Sequence, residues 1–212
     1  NKISSLNINR LSLNKIFEKI ELIDDELSYY SSMITEWRAK DNVLSYPFKN
    51  GLHTKIEKIF NKQNLSFQDK MMLSDFDTYL TDDILCKVDR STMNYSLESR
   101  APFLDKNLIE LALNLPNNLK INNANSKVVI KNILNDYLPE KLFNRPKMGF
   151  GIPIGDLLRN ELKNWSSDIL SKEFCDKHSF FNYNVVKKTF DNHLNHNENN
   201  QFKLWSLIQF NL

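Results

Sequence analysis

Glycine is scarce in this chain, which has only four glycines among its 212 residues. Gly149, Gly151 and Gly155 fall together within one short segment. Glycine allows the backbone to turn sharply, or allows another group to approach the backbone closely. Unusual backbone geometry is therefore expected at this one place rather than throughout the chain.

Cysteine is scarce as well, because Cys86 and Cys175 are the only two in the sequence. Two cysteines provide no disulfide framework, and this low number fits a reducing compartment. The sequence has neither a signal peptide nor an apolar run of about eighteen residues, the length that a membrane-spanning helix needs. We therefore expect a cytoplasmic protein, and the first residue, Asn1 rather than methionine, indicates a segment of something longer.

The chain also lacks an excess of charge of either sign, since 28 lysines and arginines balance 26 acidic residues to a net charge of +2. This balance is too mild to indicate a nucleic-acid partner or an anionic membrane surface. Hydrophobic residues make up 41% and charged residues 25% of the chain, which is typical of a globular protein. The length suits a single domain over 1–212 or part of a larger one.

Sustained alternation of polar and apolar residues is absent too, so any strand is expected to be short. Apolar residues recur instead at spacings of three and four, which predicts a mainly α fold. The predicted helices are 11–38 with a break near Asp24 and Asp25, 54–61, 67–80, a helix capped by Thr81, Asp82 and Asp83 and running to Leu97, Asp105 to Leu115, 126–137, 156–170, 183–195 and 201–211. The predicted loops are 44–53, 117–126 and 145–155.

Lys127 is the first candidate for chemistry. If Ser126 caps the helix that follows it, Lys127 occupies the first turn, against the positive end of the helix dipole. A lysine, free backbone amides and the dipole together form a corner suited to phosphate. The alternative is an exposed lysine that points into water.

The segment RPKMGFGIP, residues 145–153, is the second candidate. Arg145 and Lys147 precede closely spaced glycines, which allow a backbone to approach an anion. The segment is no Walker A loop, because the required spacing of glycine, lysine and serine or threonine is missing. An ordinary turn is the alternative.

The stretch DRSTMNYSLESRAPFLD, residues 89–105, places charged side chains among apolar ones. Ionised groups avoid a protein core unless they are paired or take part in chemistry. Glu98 and Arg100 stand just before Pro102, which bends the chain. Two interpretations stay open, namely a buried salt-bridge network at a helix end and the wall of an active site.

Metal coordination and serine nucleophile chemistry find little support in the sequence. The spacings Cys175-x-x-His178 and His193-x-x-His196 offer four nominal zinc ligands, but they match no zinc-finger spacing and lie among polar residues. No nucleophile elbow is present either. We therefore expect no metal site among these residues.

Four segments together resemble one family, in the order in which that family has them. Residues 77–120 are similar to its aspartate–arginine block followed by R-x-P-F-L-D. The other three segments are SKVVIKNIL (126–134), similar to its K-x-x-L-R segment, NRPKMGFGIPIGDLL (144–158), similar to its R-P-K-x-G-F-x-x-P loop, and FDNHLNHNENNQFKLWSLIQFNL (190–212), similar to its closing helix. On these blocks the chain resembles the C-terminal part of the synthetase domain of glutamine-dependent asparagine synthetases. The resemblance is specific over 75–212, whereas 1–74 form a helical lead-in that matches only in character.

The resemblance implies the helical C-terminal portion of an α/β ATP-pyrophosphatase-type domain. In this family ATP adenylates a carboxylate with Mg²⁺ present, and ammonia derived from glutamine then attacks the acyl-adenylate to give an amide. Lys127 aligns with the catalytic lysine that neutralises charge on the phosphates, with Lys147 and Arg145 as further nucleotide-binding groups. Residues 84–155 would form one wall of the site, with Glu98 and Arg100 in that wall. Lys131 stands where the family usually has arginine.

Other features of the family are missing from this sequence. These are its Ser-Gly-Gly-x-Asp-Ser pyrophosphate loop, its Gly-Asp-Glu segment and the cysteine nucleophile of its glutaminase domain. The N-terminal glutaminase domain and the N-terminal half of the synthetase domain are therefore expected partners, and the chain alone is expected to be inactive. A homodimer is left open.

Two other functions stay open beside asparagine synthesis. One is a related amidotransferase acting on a sugar of a surface polysaccharide or on another carboxylate, including enzymes that close β-lactam rings or cyclise peptides. The other is a non-catalytic helical interaction domain.

Overall fold

The computed structural model describes residues 23–46, 54–122, 125–145 and 151–212. Three predictions fall wholly or partly outside the described residues. They are the helix predicted before residue 23, most of the turn predicted over 44–53, and the part of the loop predicted over 145–155 that holds Lys147 and Gly149. Every structural statement below concerns the described ranges.

The described chain is mainly α-helical, as the periodicity predicts. The α-helices in chain order are α1 (Glu26–Ile34), α2 (Thr54–Phe60), α3 (Phe67–Asp75), α4 (Cys86–Met93), α5 (Lys106–Asn114), α6 (Asn117–Lys120), α7 (Val128–Asn135), α8 (Ile154–Arg159), α9 (Lys163–Ile169), α10 (Lys172–His178), α11 (Tyr183–Leu194) and α12 (Gln201–Asn211). A π-helix (Phe76–Leu85) joins α3 to α4, and short 3₁₀ turns cover Ala39–Asp41, Pro102–Leu104 and Glu140–Leu142. The strands of the described ranges are β1 (Ile121–Asn122) and β2 (Asn125–Ser126), paired antiparallel.

The chain divides into two compact units. The described residues 23–46 and 151–212 form the first unit, and the described residues of 54–145 form the second. The core of the first unit is built from the apolar faces of its helices and from one short bridge. Its buried members are Val43, Leu158, Leu170, Cys175, Phe181, Val186, Phe190, Leu204, Leu207 and Ile208.

A short antiparallel bridge attaches residues 43–45 to the helices of the first unit. Leu44 pairs with Phe181, and the Asn182 amide donates to the Val43 carbonyl at 2.8 Å. The indole of Trp37 donates to the Lys203 carbonyl at 2.9 Å. Residues distant in sequence are therefore held together by backbone and side-chain bonds as well as by apolar contact.

The second unit buries far fewer apolar side chains than the first. Its buried hydrophobic residues within the described ranges are Ile56 and Phe60. Apolar side chains on α4, α5 and α7 and on the turns between them stay largely exposed, including Leu97, Leu111 and Ile133. This unit therefore presents an extensive apolar surface.

Several predicted helix boundaries are confirmed because a cap defines them. Asp25 accepts a hydrogen bond from the Ser28 amide at 2.7 Å and starts α1 in a capping box, at the predicted break. Asp105 accepts from the amides of Asn107 and Leu108 and starts α5. The prediction of a helix over 201–211 is confirmed as well.

Other boundaries are wrong. Thr81, Asp82 and Asp83 start no helix, because α3, the π-helix and α4 run on without interruption. The helix predicted to reach Leu97 ends at Met93. The helix predicted over 156–170 is broken between α8 and α9 around Asn160.

Four further elements, α6, β1, β2 and α10, lie where the sequence pattern predicted no helix or strand. The loop predicted over 117–126 contains α6 and the two-residue strands β1 and β2. Pro116 precedes α6, and an N-terminal proline is compatible with a helix start. Helix α10 begins at Lys172 after the N-cap Ser171, whose hydroxyl accepts from the Phe174 amide at 3.3 Å.

Candidate functional site

Lys127 occupies a special backbone position between β2 and α7. Its φ of 60° and ψ of 40° are those of the left-handed helical region. Its carbonyl accepts the first bond of the helix, from the Lys131 amide at 2.9 Å. The prediction that Ser126 caps this helix is wrong, because Ser126 pairs with Ile121 in the hairpin and Lys127 itself holds the N-cap position.

The hairpin explains why the chain is forced through this conformation. Strand β2 ends at Ser126 and α7 begins at Val128, so Lys127 alone makes the change of direction. A left-handed conformation costs about 1–2 kcal/mol for a residue other than glycine. Such conformations concentrate at functional sites, where the surrounding structure imposes them. The exposed Lys127 side chain is thus attached to a backbone whose geometry is tightly defined.

A cleft of about 190 Å³ lies against α7. Lys131 lines it, one helical turn after Lys127. The polar lining side chains also include Asn122, Asn125, Asn132, Asn135 and Glu140, and Val128 and Phe143 supply apolar surface. The cleft therefore combines amide groups and one charge of each sign with apolar surface.

Glu98 and Arg100 form an ion pair with an Nη2–Oε1 distance of 2.8 Å. The two side chains are 68% and 84% exposed, respectively. The interpretation of this stretch as a buried salt-bridge network is therefore wrong. The apolar neighbours that suggested burial, such as Leu97 and Phe103, are themselves 61% and 64% exposed.

Arg145 is exposed at the end of the second unit, and Lys147 lies outside the described residues. Lys127, Glu98, Arg100 and Arg145 all belong to this unit. Among the described residues, no hydrogen bond or ion pair links Lys127 to the other three. The sequence therefore identified a set of charged side chains of one unit, of which Glu98 and Arg100 contact each other directly, whereas Lys127 is bonded to none of the other three described members.

The π-helix is a feature that periodicity did not indicate. It carries Asp77, Asp82 and Asp83 within the block that resembles the family's aspartate–arginine block. The hydroxyl of Thr78 donates to the Ser74 carbonyl at 2.7 Å, and that of Thr81 donates to the Asp77 carbonyl at 3.0 Å. Threonine hydroxyls that bond back to a helix carbonyl locally perturb the helix, and π segments are frequent at functional sites. Closely spaced threonines were the only signal for it.

The ranges that the structure covers hold no group of three or more histidine, cysteine, aspartate or glutamate side chains placed to bind a metal ion. Both ring nitrogens of His193, one of the nominal zinc ligands, are engaged in hydrogen bonds. In the same ranges, no helix has the length and apolar character to cross a membrane.

Comparison with known proteins gives a consistent result. The family model of asparagine synthase matches residues 9–212. Asparagine synthetase [glutamine-hydrolyzing] 1 of Bacillus subtilis is 31% identical over 182 residues, which are 85% of this chain and 28% of that protein. A putative asparagine synthetase [glutamine-hydrolyzing] of Mycobacterium bovis is 32% identical over 144 residues, which are 68% of this chain and 22% of that protein.

A probable asparagine synthetase [glutamine-hydrolyzing] of Acanthamoeba polyphaga mimivirus is 32% identical over 85 residues, or 39% of this chain and 15% of that protein. The chain thus spans about a quarter of the length of the first two relatives. No solved structure matches it.

Proposed function

Because this chain belongs to the asparagine synthase family, we propose that it is the C-terminal part of an ATP-dependent ligase that converts a carboxylate into an amide. The carboxylate is the side chain of aspartate, and the product is asparagine. ATP supplies the adenylyl group and pyrophosphate as the leaving group, and ammonia from glutamine displaces AMP from the acyl-adenylate. The observation that carries the proposal is the defined left-handed position of Lys127 at the start of α7, within the segment most similar to the family's catalytic lysine segment.

Lys127 stabilises the negative charge that develops on the phosphate groups as the bond to pyrophosphate breaks. Two features support this role. The side chain is exposed, so its ammonium group is free to reach a bound nucleotide. The start of α7 adds the positive end of a helix dipole beside it. A preorganised cation of this kind lowers the barrier because it needs no reorientation during the reaction.

Other charged residues have supporting roles in this proposal. Arg145 and Lys147 bind phosphate oxygens, and Glu98 and Arg100 belong to the wall of the substrate site. The described residues hold no group of three or more histidine, cysteine, aspartate or glutamate side chains placed to bind a metal ion. By resemblance to the family, most ligands of Mg²⁺ are proposed to lie outside this chain, and no step is assigned to the metal.

The glutaminase domain and the remainder of the synthetase domain are the proposed partners, in a cytoplasmic enzyme. The exposed apolar surface of the second unit supports this part of the proposal. Leu111 is 59%, Ile133 53% and Tyr137 78% exposed, although such side chains normally lie in a core. The rest of the synthetase domain, which the relatives' greater length provides, is the occupant of this surface.

The test is pyrophosphate release by the full polypeptide supplied with ATP, Mg²⁺ and aspartate. Lys127→Ala is expected to lower the rate by at least about a hundredfold, the scale on which a single charge-stabilising group contributes. Lys62→Ala is the matched control, because Lys62 is an exposed lysine of the same unit outside residues 84–155. Near wild-type release by Lys127→Ala would refute the role of Lys127.

The same assay separates the acceptors and the ammonia source. A panel of free aspartate, other carboxylates and carboxylated sugars is offered with ammonium chloride, and then with glutamine. Amide formation on aspartate from both nitrogen sources is the expected result. If an amide formed only on another carboxylate, that compound would take the place of aspartate as the proposed acceptor. If no acceptor led to pyrophosphate release, the proposal that the protein is a ligase would be refuted.

A further inference from the structure

His193 is completely buried near the end of α11, and the proposed function gives it no role. Its Nε2 atom lies 3.1 Å from the Gly155 carbonyl oxygen. Its Nδ1 atom accepts a hydrogen bond from the Asn200 backbone amide at 3.2 Å. The imidazole therefore joins three segments of the first unit, namely the start of α8, the end of α11 and the residue before α12.

These contacts determine the protonation state of the ring. A carbonyl oxygen can only accept, so Nε2 must carry the proton, and a backbone amide can only donate, so Nδ1 must be free of one. Arg159 adds a second donor, with Nη2 at 3.3 Å from Nδ1. Neutral histidine with its proton on Nε2 is the form that satisfies all three neighbours.

The surrounding charges act in the same direction. Burial lowers the pKa of His193, and its electrostatic interaction with the Arg159 guanidinium lowers it further, against hydrogen bonds to the backbone of Gly155 and Glu198. Arg159 is itself held in place, because its Nε donates to the His193 carbonyl at 2.9 Å and its Nη1 lies 3.3 Å from an Asp156 carboxylate oxygen.

Gly155 is held from both sides. Its carbonyl accepts from His193, and its amide donates to Gln201 Oε1 at 2.9 Å. A Cβ atom at this position would lie 2.8 Å from that same oxygen. Gly155 ends the segment 145–155, which opens with Arg145 and resembles the family's R-P-K-x-G-F-x-x-P loop.

We propose that neutral His193 is a positioning residue of the ligase, which fixes Gly155 and thereby the start of α8. It touches no substrate in this role. Its two ring nitrogens join the start of α8 and the residue that precedes α12 to α11. The kinetic consequence of this inference rests on the proposed function, whereas the structural consequence does not.

The test uses three substitutions in the full polypeptide. His193→Gln places an amide NH₂ where Nε2 stood, so the donor to Gly155 is retained. His193→Asn places an oxygen near the position of Nδ1, so the acceptor for Asn200 is retained and the donor to Gly155 is lost. His193→Leu removes both, and His196→Asn is the control, since His196 is exposed and left-handed at φ 58°.

The first measurement is hydrogen exchange of the Gly155 amide. His193→Asn and His193→Leu are expected to raise its exchange rate by about tenfold or more, because loss of the bond to the Gly155 carbonyl lets the Gly155 amide leave Gln201 Oε1 more readily. His193→Gln and His196→Asn are expected to leave the exchange rate near that of the wild type. Unchanged protection in His193→Leu, or equal behaviour of the Asn and Gln variants, would overturn the proposal.

The second measurement is kcat and KM for pyrophosphate release. A displaced start of α8, which lies in the block 144–158 that resembles the family, is expected to lower kcat by about ten- to a hundredfold in the Asn and Leu variants, with rescue by Gln. Wild-type kcat in His193→Asn would overturn the kinetic part. If the wild type itself releases no pyrophosphate, the proposed function fails, and hydrogen exchange alone decides the inference. If His193→Leu does not fold, the Gln and Asn pair decides it.

Discussion

Gly155 and Gly151 illustrate how two glycines of one segment differ at the level of single residues. Neither has a positive φ, so neither is required for a left-handed turn. A Cβ at Gly155 would lie 2.8 Å from Gln201 Oε1, whereas a Cβ at Gly151 would meet nothing within 4 Å. The glycine cluster predicted unusual geometry, and at Gly155 the geometry proves to be close packing rather than a special dihedral angle.

Gly155→Ala is accordingly expected to destabilise the first unit by about 1–3 kcal/mol. The added methyl group displaces the Gln201 carboxamide and leaves the buried Gly155 amide without its acceptor. The measurement is the free energy of opening from native-state hydrogen exchange of amides in α8 and α12. Gly151→Ala is the control, expected to be neutral or slightly stabilising because alanine restricts the unfolded chain. Equal effects of the two substitutions would contradict this explanation.

Lys127 allows a comparison between backbone strain and side-chain function. Lys127→Ala and Lys127→Gly both remove the ammonium group, but only glycine adopts φ 60° without steric cost. Lys127→Gly is expected to stabilise α7 by up to about 1 kcal/mol relative to Lys127→Ala, with both variants inactive in pyrophosphate release.

Hydrogen exchange of α7 amides provides this measurement. Val128→Gly is the contrasting substitution, because Val128 is the first residue of α7 and glycine there is expected to destabilise the helix, by up to about 1 kcal/mol. If glycine destabilised both positions equally, the left-handed conformation of Lys127 would carry no strain.

At the scale of secondary structure, elements with strong local signals could be predicted from the sequence. Asp105 supplied the cap of α5, and the apolar spacing of 201–211 predicted the bounds of α12. Predictions failed where a distant partner decided the outcome. Ser126 was a good cap by residue type, but pairing with Ile121 drew it into a hairpin and moved the N-cap position to Lys127.

The prediction that a new helix starts at Thr81, Asp82 and Asp83 failed for a different reason. Thr81, Asp82 and Asp83 are typical N-cap residues, yet a helix already passes through them. The Thr81 hydroxyl bonds back to the Asp77 carbonyl instead of capping a new start. The same side-chain chemistry permits both outcomes, and the packing of the preceding helix selects one.

A polar cluster joins the start of α3 to α6 in the second unit. Asp69 accepts hydrogen bonds from Ser66 Oγ at 2.7 Å and from Asn117 Nδ2 at 3.0 Å, and its other carboxylate oxygen lies 3.3 Å from Lys120 Nζ. The Asp69 and Lys120 side chains are 23% and 14% exposed. This partial burial makes the cluster stronger than a surface ion pair.

Asp69→Ala is expected to cost about 1–3 kcal/mol, because it removes the carboxylate that accepts from Ser66, Asn117 and Lys120 together. Asn117 Nδ2 keeps its bond to Ser66 Oγ at 2.8 Å, and Lys120 Nζ keeps its bond to the Leu113 carbonyl at 3.1 Å. Hydrogen bonds from Ser66 above all, then from Asn117 and Lys120, hold the pKa of Asp69 below its usual value. Its stabilising contribution is therefore present above pH 3.8 and is lost as the pH falls through the lower pKa of the folded state.

Hydrogen exchange of α3 amides in the wild type and the variant, compared at neutral pH and at acidic pH, measures both effects. Asp83→Ala is the control, since Asp83 pairs with Lys87 on the surface, where the side chains are 48% and 65% exposed. That substitution is expected to change stability by less than about 1 kcal/mol. An Asp69→Ala variant as stable as the wild type would contradict the role of the cluster.

At the scale of the whole molecule, the two units differ in how much core they possess. The first unit has a contiguous core that includes Leu158, Leu204 and Ile208, all fully buried. The second unit exposes the apolar faces of α5 and α7. An amphipathic helix contributes to stability mainly through the partner that covers its apolar face. The sequence predicted the apolar faces from their spacing, but it could not say that this chain leaves them uncovered.

Leu111→Glu tests whether the rest of the synthetase domain covers this surface in the full polypeptide. Leu111 is 59% exposed in this chain, so the substitution is expected to leave the free energy of unfolding of the isolated chain within about 0.5 kcal/mol and to reduce its self-association. In the full polypeptide the same carboxylate would be buried without a partner, with an expected cost of at least about 3 kcal/mol. The thermal unfolding of both proteins, with and without the substitution, provides the comparison. An equally small effect in both would mean that Leu111 faces solvent in the complete enzyme, and the assignment of this surface to the interior of the synthetase domain would be wrong.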